Sequence, residues 1–321
     1  MKKIIFFIGA AFILLLPFIG LGDYILRIAV MAGIYIILAL SLNLVTGITG
    51  QISLGHAAFY GIGAYTSALL SLSYGISFWV TMPAAVVLAS LAGLLIGLPS
   101  LKLSGGYLAI TTLGFNEIVR LVLINWDTLT RGPMGLPGIP APNLFGKSLD
   151  TNASYFYLIL IFVVITFIVM YRILHSKIGR NFLAVREDDI AAEAMGINLL
   201  KHKVAAFVIG AAFAGMAGSI YAHYVSYIDP QSFTFDESII VLSMVIIGGM
   251  GNLAGAALGA VIMVILPELL RFLAQYRMLI YGFALVLMML VRPQGILGNI
   301  PFDISFVLGR RNDKYGLTKS D

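Results

Sequence analysis

The chain contains no cysteine. That absence excludes disulfides, thiolate metal sites and cysteine nucleophiles together. Charge is scarce too: only 11% of its 321 residues are Asp, Glu, Lys or Arg, where soluble domains carry about a quarter. Four histidines (His56, His175, His202, His223) are scattered, with no spacing that pairs two of them on one helical turn, so no metal site is expected. No G-x-x-x-x-G-K-[ST] sequence occurs, so the chain lacks a P-loop to cradle ATP phosphates. Nucleophile elbows and paired-carboxylate sites are missing as well, which argues against an enzyme.

What the chain has is apolar length. Hydrophobic residues make up 60% of it, and the mean hydropathy is +0.98. In a bilayer each span must satisfy its own backbone, so apolar runs of about 20 residues are the unit to count. Such runs fall at about 4–21, 24–45, 57–73, 76–99, 107–126, 154–171, 204–224, 238–247, 253–270 and 279–291. The reading is an all-α polytopic membrane protein of about ten spans (8–10, since two runs are short). Placing both termini in the cytoplasm leaves Arg27, Arg120, Arg131, Lys147, Arg271 and Arg277 outside and the other fourteen of twenty basic residues inside. That asymmetry satisfies the positive-inside rule and requires an even number of spans. Because the basic residues follow topology, they imply no nucleic acid. Residues 1–300 read as one transmembrane domain, with an external loop at 127–153 and a cytoplasmic loop at 172–203. Residues 301–321 read as a cytoplasmic C-terminal tail.

Two Gly-rich segments interrupt the apolar pattern. The first holds Gly47, Gly50, Gln51, Ser53, Gly55 and His56; the second holds Gly248, Gly249, Gly251 and Asn252. Each carries one amide side chain directly after a glycine. Their corresponding positions hint at an internal, inverted repeat of the kind transporters use. They also suit ordinary turns with close helix packing. Polar groups inside spans are expensive and hence functional candidates. Asn43, Gln51, Ser53 and His56 surround the first interruption, where glycines would let backbone approach a small solute. Helix–helix hydrogen bonding would explain the same residues. Asn116 and Glu117 lie in the fifth run, and Glu117 and Arg120 are spaced for an internal ion pair. The external loop, rich in Gly and Pro, reads as an ordered turn cluster or a lid.

The cytoplasmic loop is longer than a helix hairpin needs. Asp188 or Asp189 is a good N-cap, 190–195 favours helix, and Gly196 suits the left-handed position that ends it. The short helix would present Ile190, Ala194 and Met195 as an apolar patch, suited to a groove on a cytoplasmic protein.

Taken in order, several motifs resemble one family. They are Ser41-Leu42-Asn43-Leu44-Val45-Thr46-Gly47, Gly50-Gln51-Ile52-Ser53-Leu54-Gly55-His56, Thr112-Leu113-Gly114-Phe115-Asn116-Glu117, Arg186-Glu187-Asp188, Ala191-Ala192-Glu193-Ala194-Met195-Gly196, Gly248-Gly249-Met250-Gly251 and Arg292-Pro293-Gln294-Gly295. The chain resembles, over roughly residues 24–298, permease subunits of ATP-binding-cassette importers of the type II architecture, and in particular branched-chain amino acid permeases of the LivM type. In the general coupling signature of such importers a Gly follows Glu-Ala-Ala at a distance; here Glu193-Ala194-Met195 meets Gly196 directly. The resemblance implies that Arg186, Glu187, Asp188, Asp189, Ala192, Glu193 and Gly196 form an ATPase-coupling loop. It implies a homologous second permease subunit, two cytoplasmic ATP-binding subunits that hold ATP and Mg, and an extracytoplasmic amino acid-binding protein. It also implies a bacterial or archaeal plasma membrane and inward transport by alternating access, with no cofactor in this chain. From the residues alone, a stand-alone channel or ion-coupled secondary transporter for a small polar solute such as urea or an amide is the alternative.

Overall fold

The structure is a computed structural model describing residues 22–269, apart from 100–102, 104 and 145–146, together with residue 17 and scattered positions between 276 and 298. The first and tenth expected spans and the C-terminal tail lie wholly or largely outside the described residues.

Within those limits the chain is built from helices joined by short connections. α1 (Gly22–Leu42) continues into a π-helical segment, Asn43–Ile48. α2 (His56–Tyr74), α3 (Phe78–Gly97) and α4 (Gly106–Asn125) follow. A short α5 (Asp127–Thr130) opens the Gly/Pro-rich segment. α6 (Asn152–Leu174), α7 (Lys177–Glu187), α8 (Asp189–Ala194) and α9 (Leu199–Val225) come next, then α10 (Phe235–Gly248) and α11 (Leu253–Leu269). Five helices are long and apolar enough to cross a membrane: α1 with its π extension, α3, α4, α6 and α9. α10, at 14 residues, is shorter, as is α11.

Local chemistry accounts for the helix ends. Thr151 caps α6 by accepting from the Ser154 amide, and Asn198 caps α9 by accepting from Lys201. Ser176 accepts from the amides of Ile178 and Gly179 and so starts α7. This helix occupies part of the expected loop; its Ser176 cap was a signal in the sequence. The expected helix over 190–195 forms as α8, with Asp188 as its cap and Gly196 at φ +81° just beyond it.

α9 is the centre of the bundle, packed against α3, α2 and α1. Lipid tails are as apolar as leucine, so helices in a bilayer gain from close packing and hydrogen bonds rather than from burial. Small residues make that packing close. A Cβ on Gly63 of α2 would collide with the backbone of Gly215 on α9, and one on Gly218 with the Tyr60 carbonyl. Between these helices the Ser67 hydroxyl meets Thr81 at 2.8 Å, Ser219 at 2.8 Å and His223 Nε2 at 2.9 Å. His223 Nδ1 lies 2.6 Å from the Pro140 carbonyl. A carbonyl only accepts, so the neutral ring carries its proton on Nδ1 and accepts at Nε2.

That bond ties the Gly/Pro-rich segment to the bundle. β1 (Leu136–Pro137) pairs antiparallel with β4 (Tyr227–Ile228), and β2 (Asn143–Leu144) with β3 (Lys147–Ser148). The described residues between 127 and 151 thus form an ordered turn cluster, with one-turn helices at Asp127–Thr130 and Gly132–Met134.

Short connections make successive long helices run in opposite directions. α7 and α8 therefore share one end of the bundle with both Gly-rich breaks. The other end carries the start of α1, the start of α6, the end of α9 and the start of α10.

Candidate functional site

The two Gly-rich breaks meet. The Asn43 side chain, fully buried at the start of the π-helical segment, reaches across to the second break. Its Oδ1 accepts from the Gly251 amide at 2.8 Å, and its Nδ2 donates to the Asn252 carbonyl at 3.2 Å. Asn252 in turn caps α11, accepting from the Gly255 amide at 3.1 Å, and donates to the Leu297 carbonyl at 2.6 Å. The backbone of 296–297 closes the end of α10, with Ile296 donating to Ile247 at 2.9 Å and Leu297 to Gly248 at 3.0 Å. Positive φ at Gly249 (+120°) and Gly251 (+85°) lets the chain turn within this contact. π-Helical segments of this kind recur at functional positions.

Residues of the 172–203 segment join the same point. Arg186, in the last turn of α7, donates through Nη1 to the Gly47 carbonyl at 2.7 Å. Its guanidinium lies so close to Gly251 that a Cβ there would touch it, and its stem lies against Gly50. A second tie runs beside it. Gln51 donates to the Lys203 carbonyl at 3.3 Å and to Thr49 Oγ1 at 3.3 Å, while Lys203 forms an ion pair with Asp189 of α8. The Gln51 Oε1 is buried and has no hydrogen-bond partner. A cavity of about 320 Å³ opens here, lined in part by Gly50, Gln51, Arg186, Asp188, Asp189 and Lys203.

The remaining candidates divide. His56 Nε2 lies 2.7 Å from the Ser41 hydroxyl, which itself donates to the Leu38 carbonyl. A hydroxyl has one proton, so His56 donates from Nε2, and its buried Nδ1 is left without a partner. Ser53 is fully buried and accepts weakly from Gly55 at 3.5 Å. Gly55 presses on the Thr112 carbonyl of α4. Asn43 and His56 thus make the helix–helix hydrogen bonds the sequence allowed them. Asn116 stands apart from the breaks: it is fully buried and donates to the Phe233 carbonyl at 3.4 Å, with Oδ1 unpartnered. Glu117 and Arg120 do pair, at 2.9 Å, but with side chains 35% and 24% exposed. The pair expected to be internal to the spans therefore sits on an uncovered face of this chain. Glu187 and Glu193 are exposed, Ala192 is buried, and Gly248 packs against Gly255.

Sequence reasoning missed Glu237. The expected span began one residue later, at 238, yet Glu237 lies in the first turn of α10 and lines a large cavity at the opposite end of the bundle. A carboxylate directly before an apolar run was the available signal.

Comparison with known proteins agrees with this architecture. The chain matches the family model described as branched-chain amino acid transport system / permease component over residues 24–291. It is 44% identical over 293 residues to the high-affinity branched-chain amino acid transport system permease protein LivM of Escherichia coli K12, covering 84% of this chain and 69% of that one. It is 27% identical over 329 residues to a probable LivM permease of Methanocaldococcus jannaschii, covering 87% and 94%. It is also 29% identical over 284 residues to the E. coli K12 permease protein LivH, covering 82% and 91%. No solved structure matches the chain. A predominantly helical chain with five membrane-length apolar helices among its described residues, matched by this model over most of its length, belongs to the family of branched-chain amino acid transport permease components.

Proposed function

We propose that this chain is the membrane-spanning permease subunit of an ATP-binding-cassette importer that carries branched-chain or related amino acids inward by alternating access. The observation that carries the reading is the Arg186–Gly47 contact. It joins the segment expected to meet the ATPase to the junction of two breaks in the spans. Movement of α7 and α8 would be felt first at that junction. The chain has no P-loop, so ATP and Mg belong to two separate cytoplasmic subunits. α8 offers them Ile190 and Met195, which are 81% and 83% exposed. The named relatives are transport permeases, so the channel or secondary-transporter alternative is not favoured.

The finer topology fits the same picture. The eight described helices of the bundle (α1, α2, α3, α4, α6, α9, α10 and α11) start and finish at the end opposite α7 and α8. One span before them and one after make ten, with both termini cytoplasmic in a plasma membrane. A homologous second permease subunit would cover the partly exposed Glu117–Arg120 pair, which bare lipid would not tolerate cheaply. This chain's likeness to both LivM and LivH supports such a pairing. An extracytoplasmic binding protein would deliver the amino acid to the ordered cluster at 127–151.

Purification in mild detergent tests the proposal. ATP-binding subunits are expected to co-purify, and liposomes holding the complex are expected to take up leucine only with ATP. Ion-gradient-driven uptake by this chain alone would overturn it.

A further inference from the structure

A cavity of about 890 Å³ lies at the end of the bundle opposite α7 and α8. It falls within the range of roughly 300–1,000 Å³ usual for small-molecule sites. Its walls come from α1, α6, α9, α10 and α11, and they are chemically divided.

One wall holds Glu237. Tyr35 stands beside it in the lining, and the Glu237 Oε1 is buried with no hydrogen-bond partner. A buried carboxylate oxygen without a donor is costly, and a cationic donor offsets the cost best. Another wall holds Arg27, beside Tyr224, whose hydroxyl donates to Asn152 at 3.2 Å. A guanidinium carries five N–H donors in a planar fork that matches a carboxylate. Between them lie Met31, Ile240, Met244, Met263 and Val264. Methionine is unbranched and polarisable, so this wall adapts to aliphatic groups of different shape. At the mouth, Asp23 and Glu268 add negative charge, and Tyr24 donates to Glu268.

We infer that this cavity is a binding site for a zwitterion with an aliphatic arm: Glu237 takes the ammonium, Arg27 the carboxylate, and the Met/Ile/Val wall the arm. This rests on the transport reading above and names the chemistry of its outer station. The site is separate from the breaks at the other end, so an amino acid meets it before reaching them. An aminophospholipid presents the same ammonium, anion and apolar arm, and the test separates the two sources.

The absence of cysteine makes the test clean. Met31→Cys places one thiol in this chain within the cavity wall. The complete importer carrying it, in vesicles, is treated with a small methanethiosulfonate reagent, with and without leucine. Leucine is expected to slow modification at least about tenfold, equally in vesicles with and without phosphatidylethanolamine. Adding Glu237→Gln, a nearly isosteric change, should raise the leucine concentration needed for protection about tenfold while the ATPase subunits still co-purify. Protection by phosphatidylethanolamine and not leucine, or leucine protection unchanged by Glu237→Gln, would overturn the assignment. Uptake of leucine by the wild-type complex is measured in parallel. Uptake without protection sinks only the site, whereas failure of the assembled complex to move any aliphatic amino acid sinks the transport reading itself.

Discussion

The Arg186 guanidinium donates to the carbonyl of Gly47 at 2.7 Å, across 139 positions of sequence. Gly47 belongs to the π-helical end of α1, whose Asn43 holds the α10–α11 turn. One side chain from α7 therefore touches the point where two interrupted helices are joined.

Arg186→Ala should loosen that connection without preventing assembly. The expected result is a rise of about tenfold in ATP hydrolysed per leucine taken up. Arg186→Lys should recover only part of the coupling, because an ammonium lacks the planar fork of donors. Simultaneous measurement of phosphate release and labelled leucine uptake reads the ratio directly.

Asn43→Ala removes both hydrogen bonds to the second break. It strands the Gly251 amide and the Asn252 carbonyl, at about 1–3 kcal/mol for a buried group left unpaired. A lower thermal midpoint of the detergent-solubilised protein is expected. Asn43→Asp keeps the acceptor for Gly251 and should lie between alanine and wild type.

Ile190→Asp with Met195→Asp puts charge on the two most exposed apolar side chains of α8 and its end. Co-purification of ATP-binding subunits should be lost while the chain still inserts and runs as a single species on size exclusion. Glu193 or Gly196 substitutions should act more gently, leaving the complex intact but lowering uptake per ATP.

Gly63→Val drives a side chain into the backbone of Gly215. α2 and α9 would have to separate, and overpacking of a close contact costs roughly 1–3 kcal/mol or more. Most of the expressed protein should aggregate in fluorescence-detected chromatography, whereas Gly114→Ala, with open space around it, should behave as wild type.

The helices themselves were legible because apolar run length is a local property. The runs at 76–99 and 107–126 differ from α3 and α4 by one or two residues at each end. α8 was equally legible, since Asp188 and Gly196 act within their own turn. α7 was passed over because it is amphipathic and polar, and an apolar count does not see it. Glu237 was passed over for a related reason: its place in a cavity wall depends on α1, α9 and α11, not on its neighbours in the chain.

The amino-acid sequence by itself determined that this chain is helical and apolar, where its spans break, and where Asp188 and Gly196 bound a short helix. Those properties rest on hydropathy, capping and glycine, all of which act over a few residues. Only the tertiary structure decided that the two breaks touch, that Arg186 reaches both of them, and that Glu117 lies on an uncovered face. Such contacts join residues more than a hundred positions apart. They depend on how closely helices approach one another, and here that distance is set by small residues such as Gly63 and Gly215 packed backbone to backbone.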